Sequence, residues 1–478
     1  MTTPIRVKDN TTISKNEFSA IPNLTKQIAD KTIEQLKKEG VFVFPSHIRE
    51  SDDITDDQMI LQSANESFRT SNVMGFLGMG RERLTIQSRF SNDEQDFFLQ
   101  YMLERVLGFP NILELNTNVN HDHRLYNLLL FIFPYYLKTA LRKGTFKTYI
   151  RYSYNDSNVK GTIDIAGHIK NNTPFTGNVA YSQREFSFDN HLMELIRHTI
   201  EFIKTKPYGY QLLRKVRDEV ASIVEATSEY AFHDRRKIVD TNKKKPIRHA
   251  YYHEFRALQN LCIMILQYEK HQVGPGVKHI HGILFDGSWL WEQYVNMLVS
   301  DGFYHSKNKT GDGVQHLFTN MRGNKEGRIY PDFISKNVDP RAIADAKYKP
   351  ATNIGNKDYL QVLAYMFRFD AKQGYYLYPE NGESRNQYLY LNLGSTYEPP
   401  VEDRNDIRIT KCGLAIPDSA DDYEVFKIEM RRREDSFKST LSITNPRLAQ
   451  SSSNELKRLG FIFYHLLCCP AQQASLTS

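Results

Sequence analysis

The sequence predicts a mixed α/β protein: a C-terminal unit with a mixed central sheet flanked by helices, behind an N-terminal mixed α+β region. Three observations lead there. The chain has 478 residues, too long for one compact core, so two or three domains are expected. From about residue 250 the pattern runs helix, strand, strand, helix, strand. Before that, amphipathic helical segments mix with short apolar strands and Gly-marked turns.

Composition narrows the function classes. The chain is 40% hydrophobic, 25% charged and 12% aromatic, with a net charge of only +6, so it is an ordinary globular protein and not a polycation. Its four cysteines form no CxxC arrangement, which argues against a thiolate zinc site and for reduced thiols. The N-terminal "MTTPIRVKDNTTISKNE" lacks the apolar core of a signal peptide. The greasiest runs, "YNLLLFIFPYYL" and "FIFYHLLCC", are too short or too Pro-broken to span a bilayer. A cytoplasmic protein without membrane contact is expected. No Gly-Lys dipeptide occurs anywhere, so there is no G-x-x-x-x-G-K-[ST] phosphate loop and the chain is not a nucleotide-driven motor of that type.

In order along the chain, residues 1–150 form the N-terminal mixed α+β region. "TKQIADKTIEQLKKEG" reads as a helix ending on Gly40, "GVFVFPS" as a strand, and "GFLGMGRERLTIQSRF" as a hairpin turning on Gly78 and Gly80. "DEQDFFLQYMLERVLG" and "YNLLLFIFPYYLKTALRKG" read as helices, the second broken or started at Pro134. Residues 151–249 open with "KGTIDIAGHIKNN", whose Ile163, Ile165 and Ile169 suggest a strand, followed by a helix capped at Asp189 or Asn190. The basic segment "RRKIVDTNKKKPIR" reads equally well as a solvated linker or as a phosphate-contacting loop. Residues 250–430 hold the chemistry described next, and 431–478 are expected to pack loosely.

The chemistry lies in "RIYPDFISKNVDPRAIADAKYKP", Arg328 to Pro350. Asp332 follows a proline at a strand start. In the next strand Ile343, Asp345 and Lys347 share one face and Ala342, Ala344 and Ala346 the other. If the strands pair, Asp332 approaches Asp345, and two converging carboxylates repel unless a cation lies between them. Oxygen donors without His or Cys favour Mg²⁺. A metal so held would activate water and polarise a phosphoryl oxygen, and Lys347 would orient that water and offset developing charge. D-x-K alone is worthless as a signal, since Asp370-Ala371-Lys372 repeats it at a helix end, where a solvated loop is the simplest reading. The copy at 345 is distinguished by its strand, by the upstream "YPDF" and by the helix that follows, "KDYLQVLAYMFRF". On that helix Gln361 and Tyr365 stack four residues apart, with Asp358 on the same side. Ahead of the site, "FDGSWLWEQYVNMLVS" is a helix with an apolar stripe of Leu290, Tyr294, Met297 and Leu298. Glu292 falls off the stripe, free for solvent or for the metal.

The order Glu, P-D, D-x-K, Q-x-x-x-Y resembles the PD-(D/E)XK nuclease superfamily, in its Q-x-x-x-Y branch. "LFDGSWLWEQYV", "RIYPDF", "ADAKYK", "DYLQVLAY" and "YYLYP" together resemble McrC-type nuclease subunits of McrBC restriction systems, over about residues 285–380. That resemblance implies a restriction-endonuclease-like fold for 250–430, with Asp332, Asp345 and Glu292 as metal ligands and Lys347, Gln361 and Tyr365 completing the catalytic set. It implies Mg²⁺ as cofactor, modified double-stranded DNA as substrate, and a separate AAA+ GTPase (McrB-like) as partner. The partner would dock on 151–249 and have its GTP hydrolysis stimulated. The family's Arg-Gly before the "ID" strand is Lys160-Gly161 here. Two alternatives carry weight: a stand-alone RecB-like DNA exonuclease, and a non-catalytic adaptor that only activates a GTPase. The first would bring a fused helicase or an iron–sulfur cluster, for which the cysteines are badly placed. The second gives no reason to keep costly buried charge.

Overall fold

The structure is a computed structural model and describes residues 5–44, 55–80, 82–92, 96–107, 121–206, 208–271, 280–306, 313–339, 341–383, 386–393, 402–418 and 420–441. It opens with β1 (Ile5–Lys8), β2 (Thr12–Ser14), α1 (Pro22–Ile28), α2 (Ile33–Glu39), β3 (Val41–Phe44), β4 (Leu61–Ala64), β5 (Ser67–Thr70), β6 (Val73–Met79) and β7 (Glu82–Gln87). The expected single N-terminal helix is two. Ala29 leaves the helical region, and Thr32 starts α2 afresh with a capping box to Gln35. Gly40 ends α2 at φ +110°, as its C-cap position requires. β6 and β7 form the expected hairpin, with the turn at Gly80 (φ +59°) and Gly78 inside the strand.

Next come α3 (Phe97–Leu107), α4 (His121–Leu141), β8 (Thr148–Asp156), β9 (Thr162–Ile163), α5 (Ile165–Asn171), β10 (Val179–Ser187), α6 (His191–Lys204), α7 (Gly209–Leu213), α8 (Arg217–Ala226), α9 (Arg235–Lys244) and α10 (His253–His271). Pro134 lies inside α4, and Asn190 caps α6. Two expectations are corrected here. "TIDIAGHIKNN" is a two-residue strand followed by a helix, because Asp164 accepts the Gly167 N–H and caps α5. Ile165 and Ile169, four apart, therefore share a helical face rather than a strand face. The basic segment is neither linker nor loop. Its first ten residues form α9, with Ile238, Val239 and Asn242 buried and the lysines turned outward.

The chain ends with β11 (His281–Asp286), α11 (Gly287–Val299), β12 (Phe303–His305), β13 (Gln315–Thr319), β14 (Lys325–Ile329), β15 (Phe333–Ser335), β16 (Ala342–Ala346), α12 (Asn356–Phe369), β17 (Gln373–Asn381), β18 (Gln387–Leu393), β19 (Glu402–Ile416) and α13 (Tyr423–Thr440). A six-stranded mixed sheet, β12-β15-β16-β17-β19-β18, carries the parallel run β16, β17 and β19. One core joins its α11, α13 side to the helices α3, α4, α6 and α10. A second cluster, with α12, covers the other side. The expected mixed sheet between helices is present.

The boundary drawn at residue 250 is corrected. β11 completes the N-terminal sheet, β1-β7-β6-β11-β3, pairing with both β6 and β3. Gly75 permits that closeness: a Cβ there would meet the Ile283 carbonyl oxygen at 2.1 Å. α10 packs on α4 and α6, so the half of the fold that holds the candidate site begins with α11. The boundary at 431 cuts through α13. Glu434, Phe437 and Leu441 are buried, so the loose packing expected from 431 does not hold for 431–441; residues 442–478 lie outside the described residues. On α11, Trp291 is buried where Met297 was expected, and Met297 is exposed.

Candidate active site

β15 and β16 run antiparallel, with Phe333 opposite Ala344 and Ile334 opposite Ile343. One step further in that register sets Asp332 across from Asp345. Both carboxylates are buried. Asp332 Oδ2 accepts the Ala346 N–H at 2.8 Å, which pins the first acid to the strand that carries the second. Lys347 Nζ lies 2.7 Å from Asp345 Oδ2, a direct ion pair beside the buried acids.

Electrostatics mark this as an uncompensated cluster. Burial first, then Asp345 and Glu292, push the Asp332 carboxyl well above its ordinary range. Burial also raises Asp345, partly offset by Lys347. Burial alone would lower Lys347, but Asp345 and Asp332 together hold its ammonium above the usual value. Asp358, in the first turn of α12, extends the alternation of charge. It lies 3.9 Å from Lys347 and accepts Lys349 Nζ at 3.0 and 2.8 Å. Burial works against that carboxylate, yet Lys349 and the Gly355 N–H keep it below its ordinary value.

The other expected residues surround this centre without all meeting in it. Glu292, on α11, acts on Asp332 and Asp345 through its charge, but its Oε1 is 2.7 Å from His305 Nε2. Gln361 Nε2 donates to the Tyr365 hydroxyl at 2.7 Å, and Tyr365 in turn bonds the backbone at Tyr330, just ahead of Pro331 and Asp332. The Q-x-x-x-Y pair thus braces the entry to the first acid. Among the described residues, no three His, Cys, Asp or Glu side chains are already arranged to hold an ion, and Glu292 is bonded to His305. Asp370 of the second D-x-K is a left-handed helix C-cap with an exposed side chain, remote in character from the buried copy.

Sequence reasoning missed three participants. His305 stacks on Phe333 at 5.1 Å while holding Glu292; a lone histidine on a three-residue strand gives no signal. Lys349 extends the D-x-K pattern to D-x-K-x-K and was readable as such. Tyr348, between the two lysines, bonds Ser88 (2.7 Å) and lies under the Arg89 guanidinium (4.7 Å), joining the end of β16 to the N-terminal sheet.

Residues 68–379 match the protein family described as "McrBC 5-methylcytosine restriction system component". No curated protein matches the chain. Among solved structures, one from Thermococcus gammatolerans, described as McrB AAA+ hexamers with bound McrC, is 14% identical with a TM-score of 0.42, covering 91% of this chain and 100% of that one. A second, the McrBC complex of the same organism, is 14% identical with a TM-score of 0.29, covering 64% of this chain and 90% of that one.

Proposed function

The chain belongs to the family of McrBC 5-methylcytosine restriction system components, and from that premise we propose that it is the system's McrC-like nuclease subunit, a Mg²⁺-dependent endonuclease for modified double-stranded DNA. The observation that carries this reading is the pairing of Asp332 with Asp345 beside Lys347 at one end of a buried sheet. Two buried acids sharing one ammonium are costly for stability alone. Asp332 and Asp345 would hold the ion with Glu292, and their all-oxygen donor set suits Mg²⁺. The bound ion supplies Lewis-acid polarisation of a phosphoryl oxygen and acidifies its water. Lys347 keeps its proton at neutral pH, and its ammonium would donate a hydrogen bond to a phosphate oxygen where charge accumulates. Gln361 and Tyr365 keep the Pro331-Asp332 turn in place.

The same reading gives the chain a GTPase partner of the AAA+ class, which would select and move DNA while this subunit stimulates its GTP turnover. The absence of a phosphate-binding loop from this sequence supports that division. The small lobe of β8, β9, β10 and α5 supports docking within 151–249, since Ile165, Ile169, Phe175 and Phe186 are more than half exposed there. No helix among the described residues is long and apolar enough to cross a membrane, in keeping with work in the cytoplasm, where DNA and GTP are found together.

A truncation at residue 250 would strip β11 of its sheet, so the test uses the full chain. Assembled with the GTPase, GTP and Mg²⁺, it should cut methylated duplex DNA; the chain alone should cut little. Asp345→Ala should still raise GTP turnover but not cut, with or without excess Mg²⁺. Cleavage by Asp345→Ala at the normal rate would overturn this site.

A further inference from the structure

We propose that the β13–β14 hairpin is a DNA-contacting arm that seats the duplex against the catalytic sheet, an inference that rests on the nuclease reading above. The two strands form a separate sheet paired with no other strand among the described residues. Its base is fixed. Ile329 and Leu317 pack into the core on the α12 side, and Arg368 of α12 donates to the His316 carbonyl at 2.8 Å. Its tip is built, not frayed. Asn320 Oδ1 accepts the N–H groups of Arg322 and Asn324, both at 3.0 Å, and Gly323 takes φ +80° between them. The element is therefore a stiff, anchored two-stranded ribbon.

Its surface fits nucleic acid. Arg322, Lys325 and Arg328 are exposed, and none makes an ion pair with any described residue. The one acid, Glu326, is hydrogen-bonded to Asn320. Met321 at the tip is wholly exposed and Phe318 is 65% exposed, side chains that fold stability gives no reason to leave in water but that suit contact with sugar and base edges. A two-stranded ribbon fits the major groove, about 12 Å wide.

Position selects DNA over a protein partner. The outgoing strand runs through Ile329, Tyr330 and Pro331 straight into Asp332. At about 3.4 Å per residue, Arg328 lies within roughly 14 Å of that carboxylate. A phosphodiester at Asp332 would thus have Arg328 within about two phosphates of it along the same duplex, with Lys325 and Arg322 progressively farther out. By strand alternation Lys325 and Arg328 leave opposite faces of the ribbon, so a groove that takes the ribbon would meet a cation on each wall.

The test is the triple substitution Arg322→Ala, Lys325→Ala, Arg328→Ala in the full chain assembled with its GTPase, probed with a methylated 40-bp duplex in chelator so that nothing is cut. Three lost phosphate contacts should reduce the slope of log K against log salt by about 2 to 3. With Mg²⁺ restored, KM for DNA should rise while kcat at saturation stays within about threefold, and GTP turnover without DNA should be unchanged. Arg322→Lys with Arg328→Lys should restore the slope. An unaltered slope overturns the arm, whether or not GTP turnover falls; a fall would make the hairpin a motor contact. Because binding is read without cleavage, failure of the arm is distinct from failure of the nuclease reading, which would show as a wild-type complex that never cuts.

Discussion

Two buried acids in this chain, Asp9 and Asp345, follow the same local recipe to different ends. Each sits at the end of a sheet strand, essentially excluded from water, with one cation beside it. Asp9 has its arginine to itself: Arg89 donates its backbone N–H at 2.6 Å and brings Nη2 to 2.9 Å. Burial still raises Asp9 to about 6, against the pull of Arg89, so at neutral pH the pair is ionised one to one. Asp345 instead shares Lys347 with Asp332, and Glu292 adds to the excess of negative charge. The lesson is in the count and not in the burial. A matched buried pair is architecture; a surplus of carboxylates over cations is an energetic cost relieved only by taking up a proton, as Asp332 does, or a cation in its place.

The sharpest way to break that comparison is to remove one acid and one cation. Asp332→Asn should lower the assembled complex's cleavage rate by at least about 10³, since ligand-held metal supplies several kcal/mol of charge stabilisation. The same change should stabilise the metal-free protein. The folded Asp332 holds a proton that the unfolded chain releases near its ordinary value of 3.8, so folding stability falls as pH rises from there through the raised folded value. Asparagine has no such proton, and the decline should flatten in denaturant titrations between pH 4 and pH 8. Arg89→Ala should do the opposite, costing about 3 to 5 kcal/mol by stranding Asp9. If Asp332→Asn were destabilising and Arg89→Ala neutral, the charge-count argument would fail.

A smaller effect sharpens the role of the shared cation. Were Lys347 only a counterion like Arg89, Lys347→Ala would act on stability and leave the rate of the folded fraction alone. Acting on phosphate, it should lower kcat by about 10², while the salt slope of DNA binding changes by no more than about one unit. Rates at saturating DNA separate the two roles: a normal kcat with weakened binding would make Lys347 a positioning residue.

How far these features were readable depended on the range of the forces that make them. Asp332, Asp345 and Lys347 were legible because strand alternation and a short antiparallel connection set their register locally. Gln361 and Tyr365 were legible because i, i+4 on a helix is a contact in any fold. The boundary at 250 was not, because β11 chooses partners some two hundred residues earlier, and only a close-approach glycine such as Gly75 hints at it. The sequence left Glu292 free for solvent or for the metal and gave no sign of its bond to His305, since nothing in spacing joins a helix to a strand across a turn. The end of the chain misled for the same reason. "MRRREDSFKST" reads as polar surface, yet Glu434 is buried where it accepts the hydroxyls of Tyr101 and Tyr294, partners supplied by two distant helices.

The smallest expected effect tests whether the tripeptide or its setting makes the site. Asp370 repeats the D-x-K chemistry with Lys372 3.9 Å away, but both side chains are at least half exposed, so water already satisfies each charge. What the position needs is backbone conformation: Asp370 caps α12 at φ 51° and ψ 41°, and its N–H closes on the Met366 and Phe367 carbonyls. A side chain there is tolerated at a cost, least for glycine and more for alanine than for aspartate. Asp370→Gly should therefore raise stability and Asp370→Ala lower it, each by about 0.5 to 1 kcal/mol. Cleavage should remain near normal in both, because neither changes the buried charge count at the sheet end. Denaturant midpoints read the first part and DNA cleavage the second. A tenfold fall in cleavage with Asp370→Gly would mean that this exposed copy, too, handles phosphate, and that burial is not what distinguishes the two.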